Sequence, residues 1–93
     1  IMQKLQLHII NQLGLHARAS AKFVATTSRF LSRIDLIYGK HHINGKSIMG
    51  VMMLGAPYGS TIECEIDGPD EEELKTALLT LINNKFHEEE PED

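Results

Sequence analysis

The sequence of 93 residues has no tryptophan, one cysteine, three prolines, two tyrosines and three phenylalanines. The lone cysteine, Cys64, excludes an internal disulfide, and because Ile1-Met2-Gln3-Lys4 has no apolar signal-peptide core, a reducing cytoplasm is the expected setting. No run of about 18 apolar residues occurs, so no membrane segment is expected. Few aromatics and no tight arginine cluster speak against a nucleic-acid surface. Acid is scarce in one region only: residues 1–62 carry seven Lys and Arg against Asp35 alone, a net +6, whereas residues 63–93 carry two bases and twelve acids, a net −10. A basic first two-thirds suits phosphate or an acidic protein, and the acidic remainder disfavours nucleic acid further.

What is present fits one domain with one core, burying somewhat over about 60% of the surface its unfolded chain exposes. Leu5, Leu7 and Ile9 alternate with Gln6, His8 and Ile10, which predicts a first strand over 4–10. Asn11-Gln12-Leu13-Gly14 breaks it as a loop. Ala17, Ala21, Val24 and Ala25, with Phe23 and Phe30 beside them, predict a helix over about 17–30 that lays this stripe on a sheet. Ile34, Leu36 and Tyr38 give a second strand, and Gly39-Lys40 turns the chain into a short partner, His41 to Ile43. The paired His41-His42 invites a metal, but neighbouring strand residues face opposite ways and no further ligand sits at a suitable spacing.

Asn44-Gly45 signals a turn, Ser47 an N-cap, and Ile48 to Leu54 a short helix stopped by Gly55 and Pro57. Gly45-Lys46-Ser47 resembles the end of a nucleotide-binding P-loop, yet Lys40 stands where that motif needs glycine. A helix so short cannot hide Ile48, Met49, Val51, Met52, Met53 and Leu54 together. Some of them must form an exposed apolar patch, and adaptable methionines suit docking to several partners. Thr61 to Ile66 alternates as a last strand with Cys64 inside. Asp70 and Glu73 have the spacing of a capping box, and Leu74, Ala77, Leu78, Leu81 and Ile82 form a core stripe on the final helix. Glu71 to Glu73 in its first turn and Lys85 in its last complement the helix dipole. From His87 on, the chain reads as a charged tail; the domain spans 1–87 and the acidic stretch 88–93 is expected to be disordered.

Leu13-Gly14-Leu15-His16-Ala17-Arg18-Ala19-Ser20 places a histidine where an extended segment meets a helix. The unpaired N–H groups and the dipole of a helix start favour an anion there, and one nitrogen of a neutral imidazole is a nucleophile near neutral pH. Arg18 adds a planar cation, and Lys22, four residues on, lies on the same face. A histidine at a helix start is also commonly just a solvated polar residue.

Gly14-Leu15-His16-Ala17-Arg18 and, with Ser47 falling 31 residues after the histidine, Asn44-Gly45-Lys46-Ser47-Ile48-Met49-Gly50 give a specific pair. Over residues 3 to about 86 the chain resembles the histidine-containing phosphocarrier (HPr) family of the bacterial sugar phosphotransferase system. The resemblance implies an α+β open-faced sandwich, β-α-β-β-α-β-α, with an antiparallel four-stranded sheet of order 1-4-2-3 and three helices on one face. It implies that His16 accepts a phosphoryl group on Nδ1 from Enzyme I, supplied by phosphoenolpyruvate, and passes it to an EIIA domain. Arg18 would stabilise the phosphohistidine, and HPr kinase/phosphorylase would phosphorylate Ser47. Lys22, Ile48, Met49 and Met52 would dock partners. The carrier would be a monomeric intermediate in a transfer chain, not a free-standing catalyst, with no cofactor and no metal. Where many members carry Pro-Ala after the arginine, this chain has Ala19-Ser20, and alanine in a first helical turn forfeits some preorganisation but no hydrogen bond. Two other readings are a regulatory paralogue, nitrogen-linked or signalling, acting through Ser47-controlled binding, and a small nucleic-acid-binding domain drawing on the basic region.

Overall fold

In a computed structural model, which describes residues 2–88, the elements run β1 (Gln3–His8), α1 (Ala17–Thr27), β2 (Arg33–Tyr38), β3 (His41–Asn44), α2 (Ile48–Leu54), β4 (Thr61–Asp67) and α3 (Glu71–Asn83), followed by a 3-10 turn at Lys85–His87. The four strands form one antiparallel sheet of order β1-β4-β2-β3. The period-2 pattern fixes the register. Leu5 and Leu36 both pair with Cys64, Leu7 pairs with Ile62, and Ile34 with Ile66, so one face is apolar. The three helices cover that face. The other presents Lys4, Gln6, Glu63 and Glu65 to solvent or to partial burial. Among the described residues no helix is long and apolar enough to cross a membrane.

The core gathers Leu7, Ile34, Leu36, Ile62, Cys64 and Ile66 of the sheet with Phe23, Val51, Leu54, Leu74, Leu78 and Ile82 of the helices. Burial pushes the Cys64 thiol up to about 12, helped by the nearby Asp35 and Glu65 charges, which makes it a small apolar filler.

The first helix differs from expectation in its face and its length. Ala17, Ala21 and Ala25 are exposed and Val24 is half-buried, while Ala19, Ser20, Phe23 and Thr27 turn inward. Alanine fits either face, so an alanine stripe fixes no direction. Ser20 and Thr27 are buried because their hydroxyls find acceptors: Ser20 Oγ donates to Leu15 O at 3.1 Å, and Thr27 Oγ1 to Gly45 O at 2.8 Å. The helix ends at Thr27, three residues early, since Arg29 and Phe30 N–H bond three residues back instead of four.

Two expectations about α3 also fail. Asp70 occupies the N-cap position without capping; its carboxylate accepts from Leu31 N, Ser32 N and Ser32 Oγ instead, at 2.9, 2.9 and 2.5 Å. Three donors on the α1–β2 connection outcompete one at the helix start, so no capping box forms. Lys85 lies beyond the last helical turn, in the 3-10 segment. The acids Glu71 to Glu73 do occupy the first turn. Of the segment read as a tail, His87 belongs to that 3-10 turn and Glu88 is hydrogen-bonded to the body, and residues 89–93 lie outside the described residues.

Candidate functional site

A tight crossing sets the loop that carries His16. Gly14 has φ +65° and packs so closely on the Ala56–Pro57 backbone that a Cβ would stand 2.6 Å from Ala56 O. Leu15, buried at 4%, donates its N–H to Ala56 O at 2.9 Å, anchoring the chain just before the histidine. His16 is then the N-cap of α1, extended at φ −71° and ψ 178°. Its side chain makes no capping bond. Instead Nδ1 lies 3.1 Å from Gly14 O. A carbonyl oxygen only accepts, so Nδ1 carries a proton in this arrangement. In a neutral ring the lone pair is therefore on Nε2.

The half-buried imidazole shares a surface cleft with Leu13, Arg18, Lys22, His87 and Glu88. Arg18 is exposed on the first turn of α1, one helical position from the ring's own helix start. Lys22 lines the cleft as the i, i+4 spacing requires, but its Nζ donates to Phe86 O at 2.6 Å. It therefore also clamps the C-terminal turn.

The start of α2 is built differently. Asn44 Oδ1 accepts from Lys46 N at 2.8 Å, Ser47 N donates to Asn44 O at 3.0 Å, and Ser47 Oγ accepts from Gly50 N at 3.1 Å. Ser47 is thus the true cap of α2, and Gly55 ends the helix in the left-handed region at φ +59°. A Cβ at Gly50 would stand 3.3 Å from both Ile43 Cβ and Ser47 Oγ, so a bare residue suits the crowded first turn. Of the apolar run, Val51 and Leu54 are core, while Ile48, Met49, Met52 and Met53 are exposed at 41, 64, 39 and 67%. α2 packs beside α1, so this patch lies on the helix neighbouring the one that His16 starts.

His41 and His42 are exposed on edge strand β3, with His42 Nε2 3.9 Å from Asp35. No group of three or more His, Cys, Asp or Glu suited to a metal occurs among the described residues.

Sequence reasoning missed Asn11, Phe86 and Glu88. Asn11 is wholly buried, and its Nδ2 donates to Gly14 O at 2.8 Å and to Glu88 Oε2 at 2.7 Å. A signal for Phe86 existed: Leu78, Ile82 and Phe86 continue the core stripe at intervals of four. For Asn11 and Glu88 there was none, because 77 residues separate them.

Comparison with known proteins places the chain in a described group. A family model described as "PTS HPr component phosphorylation site" matches residues 3–84. A phosphocarrier protein HPr of Cupriavidus necator is 54% identical over 82 residues, covering 88% of this chain and 92% of that protein. The solved structure of HPr-C-His from Thermoanaerobacter tengcongensis superimposes with a TM-score of 0.88 at 43% identity, covering 95% of this chain and 99% of that one. Another structure from that organism, an HPr dimer, gives 0.74 at 43% identity over 92% of this chain and 99% of that one.

Proposed function

Because the chain belongs to the HPr family of phosphocarrier proteins, we propose that His16 takes a phosphoryl group from Enzyme I, charged by phosphoenolpyruvate, and hands it to an EIIA domain during sugar uptake. The observation that carries this reading is the half-buried imidazole at the start of α1, in one cleft with Arg18 and Lys22. In this reading the carrier is a monomer working in the cytoplasm.

For transfer to Nδ1, the ring turns away from Gly14 O, the Nδ1 proton passes to solvent water and Nε2 takes one up from it, so that the ring stays neutral with its lone pair on Nδ1. The freed lone pair attacks phosphorus, a P–N bond forms, and the bond from phosphorus to the donor breaks with its electron pair leaving on the donor. Arg18 and the first N–H groups of α1 offset the charge of the phosphohistidine. Delivery reverses the step: the acceptor's nucleophile bonds phosphorus and the P–N electron pair returns to the ring. The carrier is regenerated unchanged.

Ser47 serves regulation in the same reading. Phosphorylation by the ATP-dependent HPr kinase/phosphorylase would add about −1.5 to −2 charge where Oγ now caps α2, beside Ile48, Met49 and Met52. With Lys22, those three form the docking surface, and the new charge would repel an acidic partner. The exposed methionines favour a second reading in which Ser47-controlled binding, in a nitrogen-linked or signalling branch, is the main role.

Incubation with phosphoenolpyruvate and Enzyme I should give an acid-labile adduct of one phosphoryl group, about 80 Da, that is absent from His16→Ala. An adduct that persists in His16→Ala overturns the assignment.

A further inference from the structure

The C-terminal turn doubles back onto the loop that carries His16. Lys85, Phe86 and His87 all have positive φ, at 54, 57 and 56°, which L-residues avoid, so contacts elsewhere must hold them. Two do. The Phe86 side chain is 1% exposed in the core, and Lys22 Nζ donates to its carbonyl at 2.6 Å. The turn delivers Glu88 to the loop, where Oε2 accepts from Asn11 Nδ2 at 2.7 Å and Oε1 from Leu13 N at 3.1 Å.

Asn11 passes this contact on. Its amide nitrogen donates one hydrogen to Glu88 and the other to Gly14 O, the oxygen that also receives His16 Nδ1. Among the described residues, its buried Oδ1 finds no hydrogen-bond partner. Such an orphan acceptor is costly, and a flipped amide would set oxygen against oxygen at both Gly14 and Glu88. A charge-assisted bond to the carboxylate is the strongest contact available to keep the amide unflipped.

We propose that Glu88 and Asn11 are positioning residues that hold Gly14 O against His16 Nδ1, so that the C-terminal turn decides which ring nitrogen keeps the proton and which faces the cleft. Neither residue meets the phosphoryl group. On the phosphocarrier reading, on which the consequence for reactivity rests, the turn is a latch that keeps Nδ1 occupied until a donor turns the ring.

The test uses the full chain, labelled with 15N at histidine and backbone amides, with no phosphoryl donor present. In Glu88→Ala the Leu13 amide should shift as its acceptor is lost. The His16 Nδ1 resonance should move toward the unprotonated position, the proton ratio between Nδ1 and Nε2 changing by about tenfold for one charge-assisted bond. His8, His41 and His42 should stay where they are, which certifies the fold. Glu88→Gln, which keeps an accepting oxygen, should restore most of the wild-type His16 signal. The proposal is overturned if the Leu13 amide moves and the His16 ring does not, or if neither moves. Should Glu88→Ala unfold, Glu88→Ser, whose side chain is too short to reach Asn11, is read in the same way, a displaced Leu13 amide with an unmoved ring again overturning the proposal. A chain that shows the ring change yet takes no phosphoryl group would uphold the positioning and overturn only the carrier function.

Discussion

The starts of α1 and α2 offer the same helix-terminal chemistry and are held by opposite means. Ser47 is fixed by its own neighbourhood, from the Asn44 turn to the Gly50 N–H, all within seven residues. His16 takes the equivalent position but caps nothing; its ring meets Gly14 O two residues back, and that oxygen is held by the loop's own Asn11 together with distant support, Ala56 under Gly14 and Leu15 and Glu88 against Asn11. A locally capped serine is secure whatever its partners do. On the proposed function, a residue that gives up its resting bond in order to react gains from holders that can let go.

The largest expected effect comes from breaking the distant side. Gly14→Ala puts a methyl group 2.6 Å from Ala56 O at a φ of +65°. It should destabilise the fold by about 3 kcal/mol, lower Tm by roughly 10 °C or more, and remove phosphoryl acceptance with it. Thermal melts and the adduct assay check both; a Gly14→Ala protein that melts like wild type would mean the crossing is loose.

Breaking the local side should matter less and stay local. Ser47→Ala removes one cap, about 1 kcal/mol or roughly 4–8 °C in Tm, and should leave the acid-labile adduct at His16 at full yield. Ser47→Asp, which keeps an accepting oxygen, should recover most of the melting temperature. Loss of the His16 adduct in Ser47→Ala would show that the two starts are coupled in the unmodified protein.

The smallest effect, at the start of α3, sharpens the contrast. Asp70 sits at the N-cap yet spends its carboxylate on Ser32 and Leu31, and the Ser32 hydroxyl first, then the Leu31 N–H, hold its pKa below the ordinary 3.8. A depressed carboxyl contributes stability above its unfolded pKa and loses it as pH falls through the lower folded value. The Tm advantage of wild type over Asp70→Asn should therefore be steady at neutral pH and shrink as pH falls below about 4. An advantage that stays constant down to pH 2 would mean that the carboxylate charge plays no part.

Legibility in the sequence follows the same division. The strand pattern around Leu7, Ile34, Leu36, Ile62 and Ile66 was readable because alternation records a buried sheet face directly. The Ser47 cap, the Gly55 stop and the exposure of Ile48 and Met52 were readable because each depends on residues close in the chain. The face of α1 was not: alanines are neutral about burial, and Ser20 and Thr27 go inside only because Leu15 O and Gly45 O wait there. The Asp70 capping box had the correct spacing and lost to donors 38 and 39 residues away.

By itself the sequence determined the order of the elements, the buried sheet face, a capped serine at one helix start and a histidine with an arginine at another. Those rest on periodicity and on short-range hydrogen bonds, which a chain carries in its local order. Only the tertiary structure decided how the histidine is held, because Glu88 reaches the local cluster of Asn11, Gly14 and His16 only after the sheet forms, α3 docks and Phe86 is buried. A ring nitrogen's proton is settled by the acceptor facing it, and here the position of that acceptor, Gly14 O, depends on both ends of the described chain.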